Sequence, residues 1–283
     1  MSESGPVGRL LLMAGITLRE AARRRILWTA LGAAALLLAV FAVALHFQEL
    51  EFQGRPMSPF VRYQVESGML MIGLYTCDLL AVVMTILTSI DTIAGEIASG
   101  TIHAIATKPI ARWQILAGKF LGFAGMVTAY VAITFAGTIA VAYAATGVLP
   151  EHPIRGFLLV TFECLLVLTV TFYLGTRFST LTAGVLALGL QGVAFMGGWL
   201  EQVSGFSQSQ HIVTLGVITS VLMPSESIWR RAAFEMQTPL AGSLSFSPFA
   251  NVSIPSAAAL VYAAAFACGA LGAAVYRLRR RDL

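Results

Sequence analysis

Six stretches of this chain are apolar over lengths near the roughly 20 residues that a helix needs to cross the hydrocarbon core of a bilayer. They cover residues 28–45, 68–90, 120–149, 154–175, 181–200 and 257–276. Lipid offers no partner to a free backbone amide or carbonyl, so each stretch is expected to be an α-helix. The third is overlong and is expected to tilt or to continue beyond the bilayer. Charged residues make up only 11% of the chain, against about 25% in soluble domains. The expected fold class is an all-α polytopic membrane protein, residues 1–283 forming a single transmembrane domain. Little chain is left for a soluble domain.

A seventh apolar run, residues 212–223, is too short to cross and is read as a re-entrant or interfacial element. Counting it as a span would also put the basic tail RLRRR outside. With six spans and a cytoplasmic N-terminus, Arg55, Arg62, Arg155, Arg230 and Arg231 lie outside, and the other 13 of the 18 basic residues lie inside. That is the positive-inside bias. The net charge of +4 therefore reports topology and does not mark a nucleic-acid surface. Both termini are expected in the cytoplasm of a prokaryote, with the spans in its inner membrane.

Residues 7–26 precede the first span. Leu10, Met13, Ile16 and Thr17 fall on one helical face, and Arg19, Arg23 and Arg24 lie towards the other, with Arg25 following. A basic amphipathic helix beside a span is expected to lie in the membrane surface. No cleavable signal is read at the N-terminus, so the first span is expected to remain. Gly54, Pro56 and Pro59 should break regular structure in an outside loop over 46–67. The largest outside portion is 201–256. Within it Pro224 suits the first turn of a helix. Trp229 and Phe234 beside Arg230 and Arg231 suggest an amphipathic helix at headgroup level.

Residues 91–119, DTIAGEIASGTIHAIATKPIARWQILAGK, separate the second and third spans on the inside. Asp91 is read as the cap of a short helix over 91–105. Ile93 and Ile97 would form its apolar stripe, Gly100 a C-terminal stop, and Thr101 the restart. Pro109 suits the start of a second helix running through Trp113 and Lys119 into the third span. On pattern alone, a docking element and a helix lying among headgroups fit equally well.

The wording of this stretch resembles the "GE…GT…RP…R…GK" segment of type-2 ATP-binding-cassette (ABC) exporter permeases. Gly95, Glu96, Gly100, Thr101, Pro109, Arg112, Gly118 and Lys119 match it in order. The basic helix LREAARRR, six spans, short outside helices before the last span and a basic tail agree in layout. The chain is similar in size to the single-domain subgroup that includes the nitrous-oxide-reductase maturation permease. The resemblance implies that 91–105 is a cytoplasmic coupling helix docking into a separate ATPase subunit, present in two copies. Asp91, Ile93, Glu96, Ile97, Gly100 and Thr101 would form the docking surface. Residues 7–26 would be the elbow helix, with Arg19, Arg23, Arg24 and Arg25 as a second contact to the ATPase or membrane surface. A second permease protomer would complete a homodimer.

The chain has no G-x-x-x-x-G-K-[ST] sequence, whose glycines bring backbone amides to the phosphates of ATP. It is expected to be non-catalytic, with no cofactor of its own, and ATP and Mg bound by the partner. Asp78 and Glu163 are acids at membrane depth, where the default expectation is a functional or wet site; a structural interhelical hydrogen bond is slightly favoured here. Gln191 stands among Gly184, Gly189, Gly192, Gly197 and Gly198, which suit close helix approach. The resemblance makes it a candidate pathway residue, and packing within the protomer is about as good a reading. Cys77, Cys164 and Cys268 stand singly as packing residues. His46, His152 and His211 show no ligand spacing, so no metal site is expected.

Export of a substrate by ATP-driven movement of the spans is the leading reading. The alternative is a mechanotransmitting scaffold whose ATPase drives an extracytoplasmic partner through 201–256. A secondary transporter is disfavoured, because repeats and matching broken spans are not visible. Reporter fusions after Phe47, Glu151 and Met236 are expected to read outside, and fusions after Lys108, Arg177 and Leu283 inside. A tail reporter that reads outside overturns the six-span topology.

Overall fold

The computed structural model describes residues 6–23, 25–54, 57–98, 112–207, 210–237 and 254–280. Within these residues every regular element is helical: α1 (Pro6–Arg23), α2 (Arg25–Gly54), α3 (Pro59–Ala98), α4 (Arg112–Thr146), α5 (Pro153–Arg177), α6 (Thr180–Ser207), α7 (Gln210–Leu222), α8 (Ser225–Met236) and α9 (Ala257–Arg280). Six of them, α2 to α6 and α9, are long and apolar enough to cross a membrane. They correspond one to one with the six apolar runs.

Most of the helices exceed those runs. α4 starts earlier than expected but ends at Thr146, short of the expected 149, where Gly147 takes a positive φ of 73° that a helix cannot continue through. α2 continues to Gly54 and α3 starts at Pro59, so the expected loop over 46–67 shrinks to the few residues around its proline and glycine breakers. The sequence HFQELEFQ is polar without being helix-breaking, and it simply prolongs α2. At this end Arg62 of α3 bridges Glu49 of α2 and Glu66 of its own helix, each at 2.7 Å. Arg62 and Glu49 are solvated while Glu66 is buried; such pairs align the two helix ends more than they stabilise them.

Burial sorts the spans. About two thirds of the apolar window of α5 and 61% of that of α3 are buried within the chain, against 11% for α2 and for α9. α3 and α5 pack on each other and α4 leans on both. Their shared core holds Leu74, Phe123, Tyr130, Leu166 and Phe172. Phe172 meets Phe120 and Phe123 edge-on, at centroid distances of 5.9 and 6.0 Å, a favoured arrangement for aromatic quadrupoles. The outer helix α2 is tied in by Tyr130, whose hydroxyl donates to the Ala30 carbonyl at 3.1 Å.

α1 lies across the start of α4. Met13, Thr17 and Ala21 turn inward, while Leu12, Ile16 and Leu18 are exposed. Ile16 thus faces away from the chain, not inward with Met13 and Thr17 as its spacing first suggests. A helix in the membrane surface has two apolar sides to serve, the bundle and the lipid. The crossing is close because Gly118 and Gly122, four residues apart, lack side chains. A Cβ on Gly118 would sit 2.6 Å from the Cβ of Met13, and one on Gly122 would sit 2.8 Å from the Ala14 carbonyl oxygen. This is the small-x-x-x-small device by which membrane helices approach in the absence of a hydrophobic driving force.

Gly118→Val is therefore expected to lift α1 from its seat and to cost about 1–3 kcal/mol, the usual range for overpacking. Gly125, further along α4, has open space where a side chain would go, so Gly125→Val is the matched control. Melting of the solubilised protein separates the two; equal midpoints would show that α1 has no fixed seat.

Candidate functional site

Two regions carry the residues singled out from the sequence. The first is the end of the bundle at which α3 finishes and α4 begins, called here the basic end. α3 does not stop where its apolar run ends, at residue 90; the helix continues without interruption to Ala98. Asp91 is exposed and sits inside this helix, so it is not the cap of a new one. No proline and no charge run breaks residues 85–98, and an aspartate within a helix costs only a few tenths of a kcal/mol. The chain therefore continues the turn already begun. Ile93, Glu96 and Ile97 lie on the last two turns of α3. Gly100 and Thr101 lie outside the described residues, as does the remainder of the expected helix over 91–105.

The elbow residues divide similarly. Arg19 on α1 and Arg25 at the start of α2 are exposed, Arg23 ends α1, and Arg24 is outside the described residues. The structure brings α1 onto the first turns of α4 through Gly118, at the far end of the same segment whose near end is Glu96. A role for Gly118 in seating the elbow was not visible in the sequence, where it read only as part of a linear pattern.

The second region is a buried polar cluster towards the opposite, far end. α7 and α8 build it. α7 packs back along α6, Pro224 turns the chain, and α8 then packs chiefly on α5. The approach of α7 and α8 to α6 uses Gly197 and Gly198, where added Cβ atoms would clash with Thr219 and Glu226. Gly189 and Gly192 have open space beside them, and Gly184 makes an ordinary contact. Of the five glycines expected to permit close approach, only these two adjacent ones do so within the protomer.

α8 is not the headgroup-lying helix expected from Trp229 and Arg230. Trp229 is 2% and Arg230 4% exposed. The Trp229 ring lies 5.0 Å from that of Tyr75 on α3, and the Arg230 guanidinium pairs with Glu201 at the end of the α6 span. Ser220 donates a second bond to Glu201 at 2.9 Å. A buried arginine needs such a partner, and sequence pattern does not reveal this one because Glu201 opens the polar stretch 201–256, 29 residues before Arg230. Of the four residues expected at headgroup level, Phe234 keeps the exposure first expected for this helix, and Arg231 is half-buried and pairs with Glu235.

Gln191, buried in α6, accepts a hydrogen bond from Ser225 at 3.0 Å. Within the protomer it therefore fastens α8 to α6. Next to Ser225, Glu226 accepts from the Tyr75 hydroxyl at 3.4 Å. Burial pushes the Glu226 carboxyl up to about 7, against the pull of the nearby Arg230. Asp78 lies one helical turn from Tyr75, and Glu163 on α5 is close enough to Asp78 and Glu226 for their charges to act on it. Glu163 is fully buried and neither of its oxygens has a hydrogen-bond partner; Oδ1 of Asp78 is also unpaired. The interhelical hydrogen bond favoured for Glu163 from the sequence is not made. Among the described residues no salt bridge reaches either acid, and no group of side chains suits a metal ion.

An unpaired buried polar group costs about 1–3 kcal/mol. If Glu163 has no task beyond filling space, Glu163→Leu should raise the stability of the solubilised protein by an amount of that order, and Glu163→Gln should leave assembly and most transport intact. Melting curves and transport measured on both variants decide this. Normal assembly with transport lost in Glu163→Gln would make the carboxyl functional.

Comparison with known proteins supplies the frame for both regions. Among curated proteins none matches the chain. The model of the ABC-2 family transporter protein matches residues 12–283, from within α1 to the last residue. Six membrane-crossing helices, an elbow seated on the third of them and a pattern-bearing segment between the second and third therefore belong to a member of the ABC-2 family of transporter proteins, the membrane component of an ABC transporter.

Proposed function

We propose that this chain is the permease subunit of an ATP-driven exporter in the cytoplasmic membrane of a prokaryote, with both termini in the cytoplasm. Two copies of a separate ATPase subunit bind and hydrolyse ATP with Mg, and two permease protomers pair as a homodimer. The chain itself performs no catalysis. Its part is to receive the closing motion of the ATPases at the basic end and to convert it into movement of the spans.

The observation that carries this reading is the unbroken course of α3. A helix of 40 residues is about 60 Å long at 1.5 Å per residue. It joins Glu96, in the segment shared with exporter permeases, to Asp78 and Tyr75 in the buried polar cluster. Regular helix is a stiff element, and a displacement at Ile97 is carried to Tyr75 without a joint to absorb it. Tyr75 in turn touches α8 through Glu226 and Trp229. The exposed apolar faces of α2 and α6, with Leu36, Val40, Leu181, Val185 and Met196, supply surface for the second protomer and for lipid.

The contact between α3 and α8 also supports a second reading. Movement of α3 would reach the far end of the molecule, where the ATPase could drive an extracytoplasmic partner without passage of a solute. ATP-dependent uptake into inverted vesicles separates the two, since only export yields accumulation.

The docking claim has its own test. Truncating an interface hot spot costs more than about 1 kcal/mol, and a buried unpaired charge costs more still. Ile97→Asp, alone or with Glu96→Arg, is expected to leave the spans inserted and the protomers paired. It should abolish co-purification of a co-expressed ABC ATPase or uncouple its hydrolysis from transport. Gln53→Asp, an exposed site at the far end of α2, should be silent. Wild-type ATPase binding and coupled transport in Ile97→Asp would refute the docking surface.

A further inference from the structure

At the basic end, α5 and α9 finish side by side around a cavity of about 570 Å³. Small-molecule sites typically occupy about 300–1,000 Å³. Three guanidiniums border it: Arg177 in the last turn of α5, and Arg277 and Arg280 in the last turns of α9. None pairs with a carboxylate among the described residues. Arg280 lies over the Tyr276 ring at 4.6 Å and Arg177 over Phe178 at 5.5 Å. Both are thus braced by aromatic faces while their N–H groups stay available.

The depth of the cavity identifies the kind of ligand. Its floor reaches Tyr173, a full turn inside α5, and Ala273, inside the candidate span Ala257–Leu278. The cavity therefore straddles the boundary between apolar span and basic helix ends. A soluble anion would need only the outer part, and an acidic protein surface would not reach the floor. α9 itself is a peripheral helix with 11% of its apolar window buried, and Val261, Tyr262 and Tyr276 stand exposed along it. Two arginines at the end of the lipid-facing helix α9 and a third at the end of α5, beside Tyr173 and Tyr276, match the chemistry of a phosphodiester with acyl chains running along α9.

We propose that the cavity between the ends of α5 and α9 is a binding site for the phosphodiester headgroup of an anionic phospholipid, held by Arg177, Arg277 and Arg280. The arginines take the phosphate oxygens through paired N–H donors, a geometry that lysine does not reproduce. The Tyr173 and Tyr276 rings border the glycerol region, and the acyl chains leave along the exposed side of α9. This site is independent of the coupling surface on α3 and would exist whatever the protein transports.

The test uses the full chain, purified in a neutral detergent, with native mass spectrometry and thermal melting as readouts. Dioleoylphosphatidylglycerol should bind in a defined stoichiometry and raise the melting midpoint. Dioleoylphosphatidylcholine at the same concentration should do neither, and inorganic phosphate should give no comparable shift. The Arg177→Gln/Arg277→Gln/Arg280→Gln variant should bind phosphatidylglycerol at least tenfold more weakly. Arg277→Gln alone changes one exposed side chain and should weaken it severalfold, so the test survives if the triple variant fails to fold. Arg19→Gln/Arg25→Gln removes exposed charge at the same end but outside the cavity, and should retain the lipid. Undiminished phosphatidylglycerol binding in the cavity variants, equal binding of phosphatidylcholine, or equal loss in the elbow control would overturn the proposal. A full stabilising shift from inorganic phosphate alone would overturn it too, by making the site one for a free anion.

Discussion

In a bilayer, burying apolar surface between helices gains little, because lipid tails are as apolar as leucine. What fixes the arrangement of this bundle is therefore the smaller set of contacts that lipid cannot imitate. Close backbone approach is one of them, as where α1 crosses α4 at Gly118 and Gly122. Polar pairing is the other: Arg230 with Glu201, Ser225 with Gln191, and Tyr130 with the Ala30 carbonyl. Each joins helices distant in sequence. Without them α7 and α8 would have little reason to prefer the bundle to the headgroups.

This explains which parts of the structure were legible in advance. Span number and position follow from apolar length, a property of each segment alone, and all six spans appear where the runs stand. The second helix of the 91–119 segment likewise runs through Trp113 and Lys119 into α4, from Arg112 onward. The fate of α8 was not legible. Its sequence SESIWRRAAFEM has the pattern of a surface helix, and only a partner acid 29 residues earlier in the chain draws Arg230 inside. A pairing of that kind leaves no periodic trace. Asp91 shows the opposite limit. Local chemistry favoured a cap, but a helix already propagating gains a hydrogen bond with each further residue, and one aspartate does not stop it.

The polar cluster also changes what Asp78 and Glu163 mean. Read from the sequence, they are two acids on different spans. In the structure they share a region with Glu226, beneath a helix that closes the far end. Glu226 has Arg230 near by, whereas Asp78 and Glu163 make no salt bridge among the described residues. Any motion that separates α8 from α3 would open the Tyr75–Glu226 contact and wet this cluster. Such a cluster is better suited to an element that moves than to one that only packs.

The two ends of the molecule thus do different physical work. At the basic end, exposed arginines on α1, α2, α5 and α9 meet an interfacial or aqueous environment, and the contacts formed there are open to other molecules. At the far end the buried Arg230 is sealed against Glu201, and the contacts are closed within the chain. α3 runs from one regime to the other without a joint. On the proposed reading, a stiff rod with a polar latch at its far end would carry a small displacement at Ile97 to the Tyr75 contacts, among them the 3.4 Å bond to Glu226. Yielding at that latch would let the bundle move while its spans stay in the membrane.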